Sequence, residues 1–203
     1  MNLFDLLEEK AERYRNKICA IFPKDNDSIR YKELFEKGNV VANTLDSLGV
    51  AQRSRILLLS ARTKNGYLNY IGSVFHGSLV LWIDERLNKE EKLKIATKFK
   101  TDCVIYDEKY KSFAEEILVR NEIKYSINVE RSLVGDGRII RRDIKPKEPA
   151  LCLYTSGSTG EPKGIVSTHE NVLWGSKSLK VSLELTEEDR LLGVTPFSGT
   201  NGQ

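Results

Sequence analysis

Short apolar runs that lack any alternation are the strongest constraint on this chain. Ile56–Leu59, Leu79–Ile83 and Cys103–Tyr106 are each continuous. A strand with one wet face alternates apolar and polar residues, so an unbroken run predicts a strand covered on both faces, as in a parallel sheet. Between these runs the apolar spacing lengthens to the helical one over Asn65–His76 and over the charged, amphipathic Lys89–Phe99. A further helix around Phe113–Val119 and a strand near Ile123–Ile127 continue the series. Strand and helix in turn predict an α/β fold with a mostly parallel sheet and right-handed crossovers, in which ligands bind at the carboxyl ends of the strands.

The flanking segments add to this frame. Leu3, Phe4, Leu6, Leu7, Ala11 and Tyr14 recur at helical spacing, so the first fifteen residues predict an amphipathic helix packed on one side. Ile18–Phe22 and Ser28–Tyr31 predict a hairpin around Pro23, Asp25, Asn26 and Asp27. From Lys32, the positions Leu34, Phe35, Val41, Leu45 and Leu48 predict a helix that stops at Gly49, a residue suited to the left-handed backbone after a helix end. Ser132–Pro149, with Gly135, Asp136 and Gly137 marking a turn, predicts a surface connection.

Composition excludes several classes. The 32 basic and 29 acidic residues of the 203 leave a net charge of +3, spread along the chain, which argues against a nucleic-acid partner. The three cysteines, Cys19, Cys103 and Cys152, are too far apart for the close pairings of zinc or dithiol sites and are expected to be small buried hydrophobes. No stretch approaches the roughly 20 apolar residues of a membrane span. Asp5, Glu8 and Glu9 stand where a signal peptide would be basic and then apolar, so a cytoplasmic protein without an integral membrane segment is expected.

The segment that carries chemistry is Tyr154-Thr155-Ser156-Gly157-Ser158-Thr159-Gly160-Glu161-Pro162-Lys163-Gly164, which follows the apolar Ala150–Leu153. Gly157, Gly160 and Gly164 free the backbone to turn several N–H groups toward one concavity, an arrangement that binds anions. Thr155, Ser156, Ser158 and Thr159 offer hydroxyl donors, and Lys163 a compact positive charge, so a polyphosphate is the expected ligand. By composition alone the same residues also suit a mobile surface turn. The order departs from a Walker A loop, because Lys163 follows Pro162 and precedes Gly164, and no Gly-x-Ser-x-Gly elbow is present.

That run of residues resembles the signature loop of the AMP-forming acyl and aryl adenylating enzymes, the superfamily of acyl-CoA synthetases, peptide-synthetase adenylation domains and luciferases. Ile29–Leu34 with Asn39–Leu45, and Phe75–Asp84, are similar to two earlier blocks of that superfamily, although Trp82 stands where proline is usual. Thr168-His169-Glu170-Asn171 is similar to its helix-opening segment, with Ser167, Thr168 or Asn171 able to cap the helix. His169 there is within reach of a ligand contact, but a lone histidine that begins a helix is more often structural or solvent-facing, which is the expectation here; His76 is expected near the interior.

The resemblance implies a ligase that uses ATP and Mg²⁺ to activate a small carboxylic acid as an acyl-adenylate, then passes it to the thiol of CoA or of a phosphopantetheine on a carrier protein. It casts Lys163 and Thr159 as the catalytic residues and Thr155, Ser156, Gly157, Ser158, Thr159, Gly160, Lys163 and Gly164 as the nucleotide-binding set, with no metal ligands among the protein's own side chains. Gly193–Gly202 falls where the acyl-site block begins, which makes Phe197 and Ser198 candidate substrate contacts; Phe197 is equally placed as a core aromatic. No acidic residue lies between Leu191 and Gln203 to hold a substrate ammonium, which turns the expectation toward fatty, aryl or related acids. On this reading residues 1–203 are a partial N-terminal AMP-binding domain, with its phosphate loop at 154–164, expected not to complete catalysis alone. The alternative is a noncatalytic nucleotide-binding or interaction domain that keeps the loop.

Overall fold

The computed structural model describes residues 1–156 and 162–193, without the side chains of Lys24 and Ser156. Its centre is a six-stranded sheet in the order β6-β5-β3-β4-β7-β8. Strands β3 (Arg55–Leu59), β4 (Leu79–Trp82) and β5 (Cys103–Tyr106) are the apolar runs of the sequence, β6 (Tyr125–Asn128) is the strand expected near Ile123–Ile127, and every pairing among them is parallel. The expected α/β fold with a mostly parallel sheet is therefore observed. β6 begins two residues later than Ile123, because Glu122 takes a positive φ of 53° in the turn that leads into it.

Adjacent residues of one strand feed opposite layers. Ile56, Leu58, Val80, Trp82 and Ile105 point into a core closed by α2 (Tyr31–Ser47) and α3 (Lys64–Phe75), through Val41, Leu45, Tyr70 and Val74. Leu57, Leu59, Leu81, Ile83 and Val104 point the other way, into α4 (Lys89–Phe99) and α5 (Lys111–Arg120), through Ile95, Phe99, Ala114 and Ile117. This two-sided burial is the reason those strands carry no polar alternation.

The amphipathic first helix, α1 (Leu3–Arg13), packs Phe4 against Phe35 and Phe75, with ring centroids 5.2 and 5.0 Å apart. The expected hairpin forms a separate two-stranded sheet, β1 (Ile18–Phe22) with β2 (Asp27–Arg30). Gly49 adopts φ +82° after α2, the left-handed position inferred for it. Asn88 caps α4 in a reciprocal box, accepting from the Glu91 N–H at 2.9 Å while the Glu91 carboxylate accepts from the Asn88 N–H at 2.9 Å. Loss of that cap in Asn88→Ala is expected to cost about 1 kcal/mol, read as a lower urea midpoint.

Residues 134–148 cross the outside of α2 without regular structure, and they are more than a surface connection. Asn43 Nδ2 donates to the carbonyls of Asp136 and Arg138 at 2.8 and 2.9 Å. The Arg142 guanidinium is buried against Asn43 and Asp46, and Ile144 is buried as well. Cys103 and Cys152 lie in the core, but Cys19 is only partly buried, since the β1–β2 hairpin sits at the edge of the molecule. Burial pushes the Cys19 and Cys152 thiols to about 11 and Cys103 to about 12, so none is a ready nucleophile. Among the described residues, no helix is long and apolar enough to cross a membrane.

Candidate functional site

The signature segment is built as the end of a β-hairpin. β7 (Pro149–Ser156) pairs antiparallel with β8 (Pro162–Thr168), in a register that sets Tyr154 opposite Gly164, Thr155 opposite Lys163 and Ser156 opposite Pro162. The expected loop over Tyr154–Gly164 is thus narrower than its composition suggested, with three residues at each end belonging to strands. β7 is parallel to β4, so it delivers Ser156 to the edge of the sheet where β3, β4 and β5 also end. In open α/β sheets that edge is where ligands sit.

Of the sequence-predicted residues, Thr155, Lys163 and Gly164 are exposed at this end of the hairpin. Direct opposition across an antiparallel pair brings side-chain bases to about 5 Å, so the Thr155 hydroxyl and the Lys163 ammonium serve one small region. Lys163 has no ion-pair partner among the described residues, which leaves its charge available to a ligand. Gly164 is needed for space, not for an unusual φ: a Cβ there would meet the Tyr154 ring at 3.1 Å. Gly157, Ser158, Thr159 and Gly160, the side chain of Ser156, and Phe197 and Ser198 lie outside the described residues.

The base of the hairpin is held by groups that sequence reasoning did not connect. The Thr168 side chain accepts from the Asn171 N–H at 3.1 Å while the Asn171 side chain accepts from the Thr168 N–H at 3.1 Å, the cap inferred for α6 (His169–Ser182). His169 is fully buried, not solvent-facing, and its backbone N–H donates to the Glu148 carbonyl at 3.2 Å. Its Nδ1 accepts from the Leu3 N–H at 3.3 Å. Nothing in the local sequence signals a contact with residue 3; only the fold brings it there.

His76 is also buried, as expected, with Nδ1 2.7 Å from Ser78 Oγ and Nε2 3.2 Å from Asp46 Oδ1. The three side chains imitate a hydrolase triad in outline, but Ser78 and His76 are both 0% exposed, so no substrate reaches them. Burial lowers the pKa of His76 and brings His169 from its ordinary 6.5 to about 4. A folded pKa below the unfolded one means that the unfolded chain binds more protons, so His169 contributes stability in full above pH 6.5 and loses it as pH falls toward about 4. Unfolding midpoints in urea are expected to drop over that window, and a His169→Asn variant is expected to flatten the slope.

Among the described residues, no group of three or more His, Cys, Asp or Glu could hold a metal ion. The donors described at this end of the hairpin are the Thr155 hydroxyl and the Lys163 ammonium, groups that suit phosphate oxygens.

Comparisons with known proteins agree with the fold and the motif. The family model described as AMP-binding enzyme matches residues 7–203. Bacitracin synthase 2 of Bacillus licheniformis is 28% identical over 194 residues, 95% of this chain and 7% of that protein. Tyrocidine synthase 1 of Brevibacillus parabrevis is 23% identical over 190 residues, 94% of this chain and 17% of that protein. The N-terminal domain of FACL13 from Mycobacterium tuberculosis superposes with a TM-score of 0.88 at 23% identity, covering 97% of this chain and 52% of that one. ATP-bound MatB from Rhodopseudomonas palustris gives a TM-score of 0.88 at 24% identity, covering 100% and 42%. The chain therefore spans about half the length of these solved structures, and less than a fifth of the two curated relatives. With the family match running from residue 7 to residue 203, this chain belongs to the AMP-binding enzyme family.

Proposed function

We propose that this chain forms part of the ATP site of an AMP-forming ligase that joins a carboxylic acid to a thiol, as a portion of the N-terminal AMP-binding domain. The observation that carries this reading is the opposition of exposed Thr155 and Lys163 on the β7–β8 hairpin, at the carboxyl edge of the parallel sheet. In the reaction a carboxylate oxygen attacks the α-phosphorus of ATP, the bond to the bridging oxygen breaks, and pyrophosphate leaves. The acyl-adenylate is then opened at its carbonyl by a thiolate, which releases AMP.

The protein's task in the first step is to hold and offset negative charge as it gathers on the leaving pyrophosphate. Lys163 supplies an ammonium, Thr155 a hydroxyl, and the tip between them, with Ser156, Gly157, Ser158, Thr159 and Gly160, further hydroxyls and amides. Magnesium enters as MgATP, where it neutralises phosphate oxygens. The likeness to ATP-bound MatB supports ATP as substrate; the thiol acceptor, CoA or the phosphopantetheine of a carrier protein, is the one that the resemblance of the signature segment implies. The free thiols of Cys19, Cys103 and Cys152 are in keeping with a reducing compartment.

The test is pyrophosphate release by the native polypeptide that carries this sequence, given MgATP and a panel of fatty, aryl and amino acids. Release that depends on one class of acid supports the ligase. Saturable MgATP binding with no acid-dependent release favours the noncatalytic nucleotide-binding domain instead.

A further inference from the structure

Three separate stretches of chain meet behind the hairpin. Asn2 Nδ2 donates to the Ile144 carbonyl at 3.0 Å, a buried bond that ties the start of α1 to the segment feeding β7. The N–H groups of His169 and Glu170 donate to the carbonyls of Glu148 and Pro146, at 3.2 and 2.8 Å, and tie the start of α6 to that same segment. The Leu3 N–H donates to His169 Nδ1 and closes the circuit between α1 and α6. Pro149 and Thr168, the first register pair of the hairpin, lie immediately beside this junction.

The hairpin needs such a mount. β7 is registered to β4 only at Val80 with Leu151, while its pairing with β8 runs on to Ser156 with Pro162. Beyond Leu151, Cys152 and Leu153 still pack into the core, but Thr155 and Lys163 to Val166 are all exposed. The exposed end is a two-stranded ribbon, at best marginal alone, so its direction depends on how the buried part of the hairpin is held, by the core under Cys152 and Leu153 and by the junction at its base.

His169 is suited to the clamp in a way that other buried side chains are not. The Leu3 amide belongs to the first turn of α1, where N–H groups have no partner within the helix; Asn2 Oδ1 takes the Asp5 N–H and the Asn2 carbonyl the Leu6 N–H, leaving Leu3 to the imidazole. Accepting at Nδ1 requires that nitrogen to be bare, so a neutral ring carries its proton on Nε2, which is buried with no hydrogen-bond partner among the described residues. The charged groups facing the ring are Glu148, itself paired with Arg53 at 2.5 Å, and Asp5, whose Oδ2 accepts from the Asn2 N–H at 2.9 Å. Neither carboxylate offsets burial, which keeps the ring neutral and an acceptor.

We propose that His169 is a positioning residue, whose neutral Nδ1 ties the first turn of α1 to the base of the β7–β8 hairpin and so sets where Thr155 and Lys163 are held. The clamp itself is a property of the free protein; its value to nucleotide binding rests on the phosphate reading given above.

The test uses ¹⁵N-labelled protein without and with MgATP. In the wild type the ring is expected to show a bare Nδ1 and a protonated Nε2 at pH 7. His169→Leu is expected to speed Leu3 amide exchange by about tenfold, the loss of one hydrogen bond, and to shift the amides of Thr155, Lys163 and Gly164 while Leu57 and Val104 stay in place. His169→Asn puts an amide oxygen near the Nδ1 position and is expected to restore Leu3 protection and the hairpin shifts. Unchanged Leu3 exchange in the Leu variant, unmoved hairpin amides, or a proton on Nδ1 in the wild type would each overturn the clamp. Should the Leu variant fail to fold, the wild-type tautomer and the Asn variant decide the matter. Absence of any MgATP effect on Thr155 and Lys163 in a wild type with an intact Leu3 bond would count against the phosphate reading and leave the clamp standing.

Discussion

Lys163→Ala is expected to slow acid-dependent pyrophosphate release by the native polypeptide by about 100-fold, the usual loss when one preorganised charge-stabilising donor is removed from a reaction centre. Lys163 is exposed on β8, so the variant's urea midpoint is expected to stay within about 0.5 kcal/mol of the wild type. That separation of rate from stability distinguishes a ligand-facing lysine from one that holds the hairpin together. Thr159→Ala is expected to act in the same direction. Equal rates in wild type and both variants would reject the assignment.

The second large effect is on stability. α2 and α3 cross where Gly38 meets Phe75 and Gly72 meets Val41. A Cβ on Gly72 would lie 2.4 Å from Val41 Cβ and 2.8 Å from the Gly38 carbonyl, and both are fixed parts of a neighbouring helix. Gly72→Ala is expected to lose about 3 kcal/mol by overpacking, offset by about 1 kcal/mol of better helix propensity, for a net loss of about 2 kcal/mol. Gly175 in α6 is the control, because a Cβ there meets nothing within 4 Å. Gly175→Ala is expected to raise stability by up to about 1 kcal/mol. Urea midpoints that move the same way for both variants would contradict the close helix crossing.

Much of this architecture is readable from local pattern. Ile56–Leu59 and Cys103–Tyr106 announce buried strands because both faces of a parallel sheet are covered, and Gly49 ends α2 because its backbone position is left-handed. β8 is harder to see. Pro162, Lys163 and Gly164 have loop composition, and Ile165 and Val166 point to opposite faces that are both about half exposed, so neither a helical nor an alternating period marks the strand. Its identity comes from register with β7, a non-local property.

The same limit applies around the site. The Tyr154 ring over Gly164 and the Leu3 amide on His169, 166 residues apart in sequence, are contacts that no local spacing encodes. Arg142 is another case: in a charged, proline-flanked stretch it reads as surface, yet its guanidinium is buried between Asn43 and Asp46. Long side chains with partners are buried by the fold that supplies those partners, not by their own hydrophobicity.

The most direct measurement is a crystal structure of the native polypeptide with MgATP bound. Lys163 Nζ and the Thr155 hydroxyl are expected within about 3 Å of phosphate oxygens. A nucleotide bound elsewhere, with the hairpin remote from every phosphate, would contradict the account.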